Sequence, residues 1–398
     1  MELLKEILAG AEGLTEEIIR LRRELHQHPE LSHQEQRTAG VVARYLQDLG
    51  LEVRTGIADH GVVATLEGSR PGKTVAWRAD MDALPLEEKV HAAWCSRAPG
   101  VMHACGHDFH MSIGLAAARL LSGMKDRLAG RFRFIFQPAE EGPPRGKESG
   151  APGMVAAGVL NDPPVDAICA LHVAPNLEVG LIRHSPEVVM AGADRVELAV
   201  TGKAAHGATP HRGVDPILVS AQALQQIQGY LAQRVDARHP IILTFGRING
   251  GNRFNILAER VDLEGSFRYL QESVRQEVQQ GLKMLLAGLA QGSGAKIELN
   301  FPPTYPILRN DPQLSRRAVE ILGRVLGKKH LKAHQPAMGS EDFAYYAARV
   351  PAFYFFLGVR SPGGKRQALH SPEFNPDEGG LVWGLKAAAG LMVGLGEP

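Results

Sequence analysis

Short apolar runs and helix-period stretches alternate along this chain. The runs "VVATLEG" (62–68), "TVAWRAD" (74–80) and "FRFIFQP" (132–138) each end at Gly, Pro or an acidic residue, the punctuation expected of buried strands. Segments such as "SIGLAAARLLSGM" read instead as helix. This alternation predicts an α/β sheet domain. The N-terminal stretch "MELLKEILAGAEGLTEEIIRLRREL" carries charges every few residues, so it predicts amphipathic helices and lacks the unbroken apolar core of a signal peptide. No apolar run is expected to reach the roughly 20 residues of a membrane span, and no membrane partner is expected.

One stretch has an order of its own. Strand "DRVELAVTG" (194–202), helix "DPILVSAQALQQIQGYL" (215–231), strands "IILTFGRI" (241–248) and "ERVDLEGSFRYL" (259–270), helix "VRQEVQQGLKMLLAGLA" (274–290) and strand "KIELNF" (296–301) follow one another. That is β-α-β-β-α-β, the ferredoxin-like unit. Its first and last strands are sheet neighbours, so it can be inserted into another domain at little topological cost. Residues 186–302 are read as that insertion, leaving 1–185 and 303–398 as a discontinuous main domain. A chain of 398 residues agrees with two domains.

Charge and cysteine content narrow the function classes. Lys plus Arg number 44 against 43 Asp plus Glu, which leaves no basic excess for gripping phosphates, so nucleic acid is not an expected partner. The three cysteines, Cys95, Cys105 and Cys169, are odd in number and irregularly spaced, which suits a reducing cytoplasm without disulfides.

Against so few cysteines, "VMHACGHDFHMSIG" (101–114) draws the eye. A thiolate at Cys105 and an imidazole at His107, in a loop leading into a helix, can reach one metal ion; a buried Cys beside a capping His is the structural alternative. "FQPAEEG" places Glu140 and Glu141 just past an apolar strand. Alternation there would send them to opposite sides, one to ligate metal and the other to face the reacting water; a solvated pair is the plainer reading. His172 in "ALHVAP" follows an apolar run and reads equally as a core histidine. His370 in "ALHSPEFNPDE" lies in a Pro-rich polar loop.

Taken together and in order, these segments resemble the aminoacylase, hippurate hydrolase and indoleacetyl-amino-acid hydrolase group. That group lies within the larger family of two-metal exopeptidases and deacylases that includes carboxypeptidase G and succinyl-diaminopimelate desuccinylase. The matching segments are "LRRELHQHPELSHQE" (21–35), "WRADMDALP" (77–85), "GVMHACGHDFH" (100–110), "QPAEEG" (137–142), "LHV" (171–173), "GKAAHGATPHRGVDPI" (202–217), "FNILAERVDLEGSFR" (254–268), "GSEDFAYY" (339–346) and "HSPEFNPDE" (370–378). They span nearly the whole chain.

The resemblance implies a mixed-sheet, phosphorylase/hydrolase-like metallopeptidase domain carrying an inserted ferredoxin-like lid and dimerisation domain. It implies two divalent ions per subunit, held by Cys105, His107, Glu141, His172 and His370, with Cys105 where relatives use an aspartate. The identity of the ions stays open among Mn, Zn, Ni and Co. Asp80 stands where the wider family has a histidine ligand, and Asp82 becomes a support for the ligands. Asp108 and His110 either orient ligands or serve helix capping and packing. Glu140 is the expected general base and acid. His206 on the inserted domain assists, with His211 its neighbour and competitor, and Asn255 and Arg268 hold the product carboxylate. Relatives pair through the inserted domain, so a homodimer or higher oligomer is expected, in which His206 and Asn255 can serve the partner subunit's site.

The function so implied is metal-dependent hydrolysis of the amide bond of N-acyl-L-amino acids, a small-molecule substrate, to a carboxylate and an amino acid. A dipeptidase or carboxypeptidase, or a deacetylase of N-acetyl-diaminopimelate, would share the whole site. A catalytically dead binder of small acyl ligands is the alternative from another class; the presence of Glu140 and every ligand speaks against it.

Overall fold

A computed structural model of the chain describes residues 2–142 and 147–398. Two compact units emerge, one of residues 1–189, 309–335 and 342–398, the other of residues 190–308 and 336–341. These boundaries are displaced from the 186–302 read in the sequence. Strand Pro303–Tyr305 continues to pair with the unit's first strand, and the Ala191 N–H bonds the Ala337 and Gly339 carbonyls, which draws a remote short segment into the second unit.

The first unit is built on an eight-stranded sheet. Its strands are β1 (Glu52–Ile57), β2 (Gly61–Glu67), β3 (Arg70–Asp80), β4 (Ala129–Gln137), β5 (Ala167–Glu178) and β6 (Ile182–His184). The second unit supplies β7 (Gly192–Thr201), β8 (Ile241–Gly250), β9 (Arg260–Tyr269), β10 (Lys296–Asn300) and β11 (Pro303–Tyr305); the chain then returns with β12 (Leu331–Ala333) and β13 (Ala352–Arg360). The first sheet runs β1-β2-β4-β3-β5-β13-β6-β12. Its centre, β4-β3-β5-β13, is parallel, while the β1-β2, β2-β4 and β13-β6 pairs are antiparallel. Sheets of parallel strands are covered on both faces, which explains why the first half of β5, AICAL, is apolar without alternation. Trp77, Phe132, Phe134, Phe136, Phe353 and Phe355 fill that core.

Helices α1 (Glu2–Gly13), α2 (Thr15–Gln27), α3 (Gln36–Asp48), α4 (His107–Ser122) and α5 (Gly150–Ala156) belong to the first unit. In α2 the buried residues Ile18, Leu21, Arg22, Leu25 and His26 recur at helical spacing. The start of α3 is capped from outside its own turn: the Glu30 carboxylate accepts the Arg37 and Thr38 N–H groups and the Thr38 hydroxyl.

Helices α6 (Pro216–Arg234) and α7 (Glu272–Ser293) belong to the second unit. There the sheet order is β10-β7-β9-β8, with β11 also on β7, and all its pairings are antiparallel. α6 begins at Asp215, whose carboxylate accepts the Ile217 and Leu218 N–H groups ahead of Pro216. α7 ends at Gly294, where φ is +72°, a conformation that favours glycine. Val196, Leu198, Ala223, Ile227, Val278 and Leu282 form this unit's own core.

The first unit closes with α8 (Pro312–Leu322), α9 (Ala344–Ala347) and α10 (Gly379–Gly396). Contrary to the expectation that no run approaches a membrane span, α10 offers 18 residues of mean hydropathy 1.3, and 78% of it is buried inside the fold. Buried among α1, α4, α8 and the sheet, it is apolar apart from Lys386, which pairs with Glu12, as suits a core helix.

Candidate metal centre

Parallel strands bring their loops to one edge of the sheet, outside the carboxyl ends of the strands. β3 ends at Asp80, two residues before Asp82, and β4 ends at Gln137, three residues before Glu140. Cys105 lies just ahead of α4, whose first residue is His107, and His172 lies on β5, beside Phe356 of β13. His370 comes from a loop fixed by its own N–H to the Ala104 carbonyl at 2.9 Å.

All five expected ligands converge. Cys105 Sγ lies 3.3 Å from His172 Nε2 and 3.3 Å from His370 Nε2. His370 Nε2 is 3.2 Å and His107 Nε2 3.8 Å from Glu141 Oε1. The set resolves into two triads sharing the thiol, Cys105–His107–His172 and Cys105–Glu141–His370, with the potential ligand atoms of each triad within 4.8 Å of one another.

Hydrogen bonds fix which nitrogen His172 and His107 offer. His172 Nδ1 donates to the Val173 carbonyl at 2.8 Å and His107 Nδ1 to the Asp82 carbonyl at 2.8 Å. Both therefore present Nε2 inward. His107 Nε2 is buried without a hydrogen-bond partner. Burial opposes the cationic form, yet Asp80, Asp82 and Glu141 lift His107 to about 10; the cluster draws positive charge into itself. Burial, together with the Glu141 and Glu140 carboxylates, pushes the Cys105 thiol well above its usual range. Against its own burial, Glu141 is held below the carboxylate range by His370 and His107. Thiol, imidazole and carboxylate donors facing one another, with an orphaned Nε2 among them, fit divalent cations.

Local backbone conformation makes this convergence possible. Gly106, between Cys105 and His107, has φ +85°, and a Cβ there would stand 2.4 Å from Val173 Cγ2. Ala139 and His370 sit at φ +52° and +58°, a region that non-glycine residues occupy mainly where the surroundings impose it. The turn at Ala139 overrides the expected alternation. Because β4 stops at Gln137, Glu140 and Glu141 do not point to opposite faces; each places a carboxylate oxygen within 4.8 Å of a His107 nitrogen.

Two of the supporting residues differ in their roles. Asp82 braces His107 through its carbonyl, with Oδ1 3.2 Å from Nδ1. Asp108 instead gives its carboxylate to Arg22 and His26 at 2.7 and 2.8 Å. It does not cap α4 either, where Gly106 holds the N-cap position. A buried Arg22 needs a counter-charge, and Asp108 supplies it.

Behind the centre runs a chain of groups of which only His110's orienting role was expected from the sequence. Asp342 accepts from Arg78 at 2.7 Å, Arg78 donates to Asp80 at 2.5 Å, and His110 Nδ1 donates to Asp80 at 2.5 Å. His110 Nε2 then accepts the N–H of Val173 at 3.0 Å, the residue whose carbonyl orients His172. The signal was present: "RAD" puts charges at the end of an otherwise apolar strand.

In the second unit, His206 and Asn255 lie together: His206 bridges to Ile256, and the Gly207 N–H reaches the Asn255 carbonyl at 2.9 Å. Both side chains are exposed. His206 Nδ1 accepts the Ala208 N–H at 3.1 Å, leaving Nε2 as the ring's donor. Arg268, on β9, donates to the Met338 carbonyl at 3.1 Å and to Ser340 Oγ at 2.9 Å.

The model of peptidase family M20/M25/M40 matches residues 76–392. The chain belongs to this family. It is 36% identical to thermostable carboxypeptidase 2 of Saccharolobus solfataricus, over 99% of each chain. It is 34% identical to N-acetylcysteine deacetylase of Bacillus subtilis, over 94% of this chain and 96% of that one. The crystal structure of the Bacillus subtilis YxeP protein, described as a dinuclear metal binding peptidase of the M20 family, superposes with a TM-score of 0.83. That match has 33% identity and covers 96% of this chain and 98% of YxeP.

Proposed function

We propose that this M20 chain is a metal-dependent amidohydrolase that splits N-acyl-L-amino acids into a carboxylate and an amino acid. The observation that carries the reading is the pair of triads sharing Cys105, with the Glu140 carboxylate beside them. The dinuclear metal binding of the YxeP relative and the deacetylase names among the relatives support it. Cys105, His107, Glu141, His172 and His370 would hold two divalent ions. Cations there supply Lewis acidity and make a water molecule acidic enough to attack at neutral pH.

The remaining steps belong to the chain. Glu140 takes a proton from the attacking water as the new C–O bond forms at the amide carbon. It returns a proton to the leaving nitrogen as the C–N bond breaks. Asp82 and the Arg78–Asp80–His110 chain hold the histidine ligands in the tautomers that face inward. We assign the developing oxyanion to His206 Nε2–H and the amino acid's carboxylate to Arg268 and Asn255.

A second reading, carboxypeptidase, is favoured by the 36% identity to thermostable carboxypeptidase 2. Deacetylation of N-acetyl-diaminopimelate shares the same site. Metal analysis with hydrolysis measured on N-acetyl and N-benzoyl amino acids, N-acetyl-diaminopimelate and N-blocked dipeptides decides between them. An active preparation without metal would end the metal-dependent reading, and cleavage confined to the blocked dipeptides would end the aminoacylase one.

A homodimer or higher oligomer formed through the second unit belongs to the same proposal. Exposed Ile242 and Ile248 on the sheet-edge strand β8, with exposed Phe254 nearby in sequence, support it. A cytoplasmic location is proposed on the three free cysteines.

A further inference from the structure

The segment 30–35, "ELSHQE", has no part in the chemistry above. Its side chains nevertheless gather on the turn that carries Glu140. Glu35 is fully buried, and its Oε1 accepts the Ala139 N–H at 2.8 Å. Asp82 Oδ2 accepts the Glu141 N–H at 2.9 Å and the Ser32 hydroxyl at 2.7 Å. The peptide N–H groups on either side of Glu140 are thus each held by a buried carboxylate. Those two carboxylates are tied to each other's strand, since the Ala83 N–H bonds the Glu30 carbonyl at 2.8 Å and Leu31 bridges to Ala83.

Neither helix nor strand fixes the backbone here, because β4 has ended at Gln137. Ala139 sits at φ +52°, and an alanine stays in that region only where its neighbours over-determine it. Its N–H goes to Glu35, and its carbonyl accepts the Gly150 N–H at 2.8 Å. Glu140 itself closes a tight turn, its carbonyl accepting the Gly142 N–H at 2.9 Å. Release of the Ala139 N–H would free the Pro138–Ala139 peptide and let φ of Ala139 relax, which would re-aim the Glu140 carboxylate that follows.

We propose that Glu35 is a positioning residue for Glu140. Its oxygen holds Ala139 left-handed and so sets where the proton-shuttling carboxylate points. The inference rests on the reading of Glu140 given above. What the turn requires is an acceptor oxygen at the right reach, and the negative charge is dispensable. Two variants separate these requirements. Glu35→Gln keeps the reach and the oxygen but loses the charge; Glu35→Asp keeps the charge but withdraws the oxygen by one methylene.

The test measures kcat and KM for hydrolysis of an N-acetyl amino acid, with metal content verified, in both variants and in the Glu140→Gln background. Misplacement of about 1 Å at a reacting group lowers rates up to about a hundredfold, so Glu35→Asp is expected to lower kcat by about tenfold to a hundredfold. Its KM and metal content should match the parent, and Glu35→Gln should stay within about threefold of parental kcat. In the Glu140→Gln background, Glu35→Asp should not change the residual rate further, since a residue acting through Glu140 loses its effect when Glu140 cannot act. Parental kcat in Glu35→Asp, a loss that follows lost metal, or the full loss persisting beside Glu140→Gln would each overturn the proposal. Parental turnover of Glu140→Gln alone would overturn instead the role given to Glu140.

Discussion

The metal cluster and the substrate-binding candidates of the second unit are built on opposite principles. In the cluster, His107 is fully buried, His172 and Glu140 nearly so, with only His370 of the ligands exposed, and the Nδ1 of both His107 and His172 meets a backbone carbonyl. His206 and Asn255 are exposed, and their own unit constrains them through little more than backbone contacts. Chemistry that needs fixed distances between charges requires a rigid, dry setting. Groups that meet a substrate from solvent can stay mobile until it arrives. Variants in the first region should therefore alter kcat or metal content, and variants in the second should alter catalysis or KM without touching metal.

The strongest test of that contrast is Glu140→Gln beside Glu141→Gln. The first should keep the metals yet lower kcat by about a thousandfold or more, while the second should lose metal itself. Chelation should abolish turnover, and added Mn, Co, Ni or Zn should restore it. Metal analysis by mass spectrometry with steady-state kinetics checks both; equal metal loss in the two variants would erase the distinction between base and ligand.

The next effect is on stability. Burial first, and then the Asp82 charge, raise Glu35 from its ordinary 4.5 to about 7. A carboxyl with a raised folded-state pKa contributes stability that is fully present below 4.5 and is lost as pH rises through about 7. Chelator-treated protein should thus lose up to about 3 kcal/mol between pH 5 and pH 8 from this group, and Glu35→Gln should flatten that slope. Urea unfolding at the two pH values measures it; a parental slope in the variant would assign the pH dependence elsewhere.

In the second unit, His206→Ala should lower kcat by about a hundredfold with metal content unchanged, the range for loss of one oxyanion donor. The smallest effect is expected of Arg268→Ala, a rise in KM of about tenfold that shrinks for a substrate whose carboxylate is amidated. Since Arg268 also holds the Met338 carbonyl and Ser340, faster hydrogen exchange at 336–341 should accompany it. If both variants matched the parent while the metal ligands proved essential, the second unit would have no chemical part.

Much of this architecture was legible in the chain. The apolar runs at 62–68, 74–80 and 132–138 became β2, β3 and β4, with their ends moved by a few residues, and each element of the β-α-β-β-α-β order appeared. These are local properties, set by periodicity, caps and turn residues, and they need no knowledge of the partner strand. Cys105 and His107 could be paired from their spacing, but the full set of five was legible only through resemblance, because Cys105 and His370 lie 265 positions apart and no local rule joins them.

What the sequence by itself determined, then, was the identity of the strands and helices, the inserted order of the second unit and the inventory of donors. Tertiary structure alone decided that Ala139 and His370 turn left-handed and that Glu140 and Glu141 share one direction. It also gave Asp108 to Arg22 and His26, and assembled the Asp342–Arg78–Asp80–His110 chain behind the ligands. The physical reason is the same in each case. A buried charge or an unpaired N–H must find a partner wherever the fold provides one, and that partner is a property of packing at long range, which periodicity along the chain does not encode.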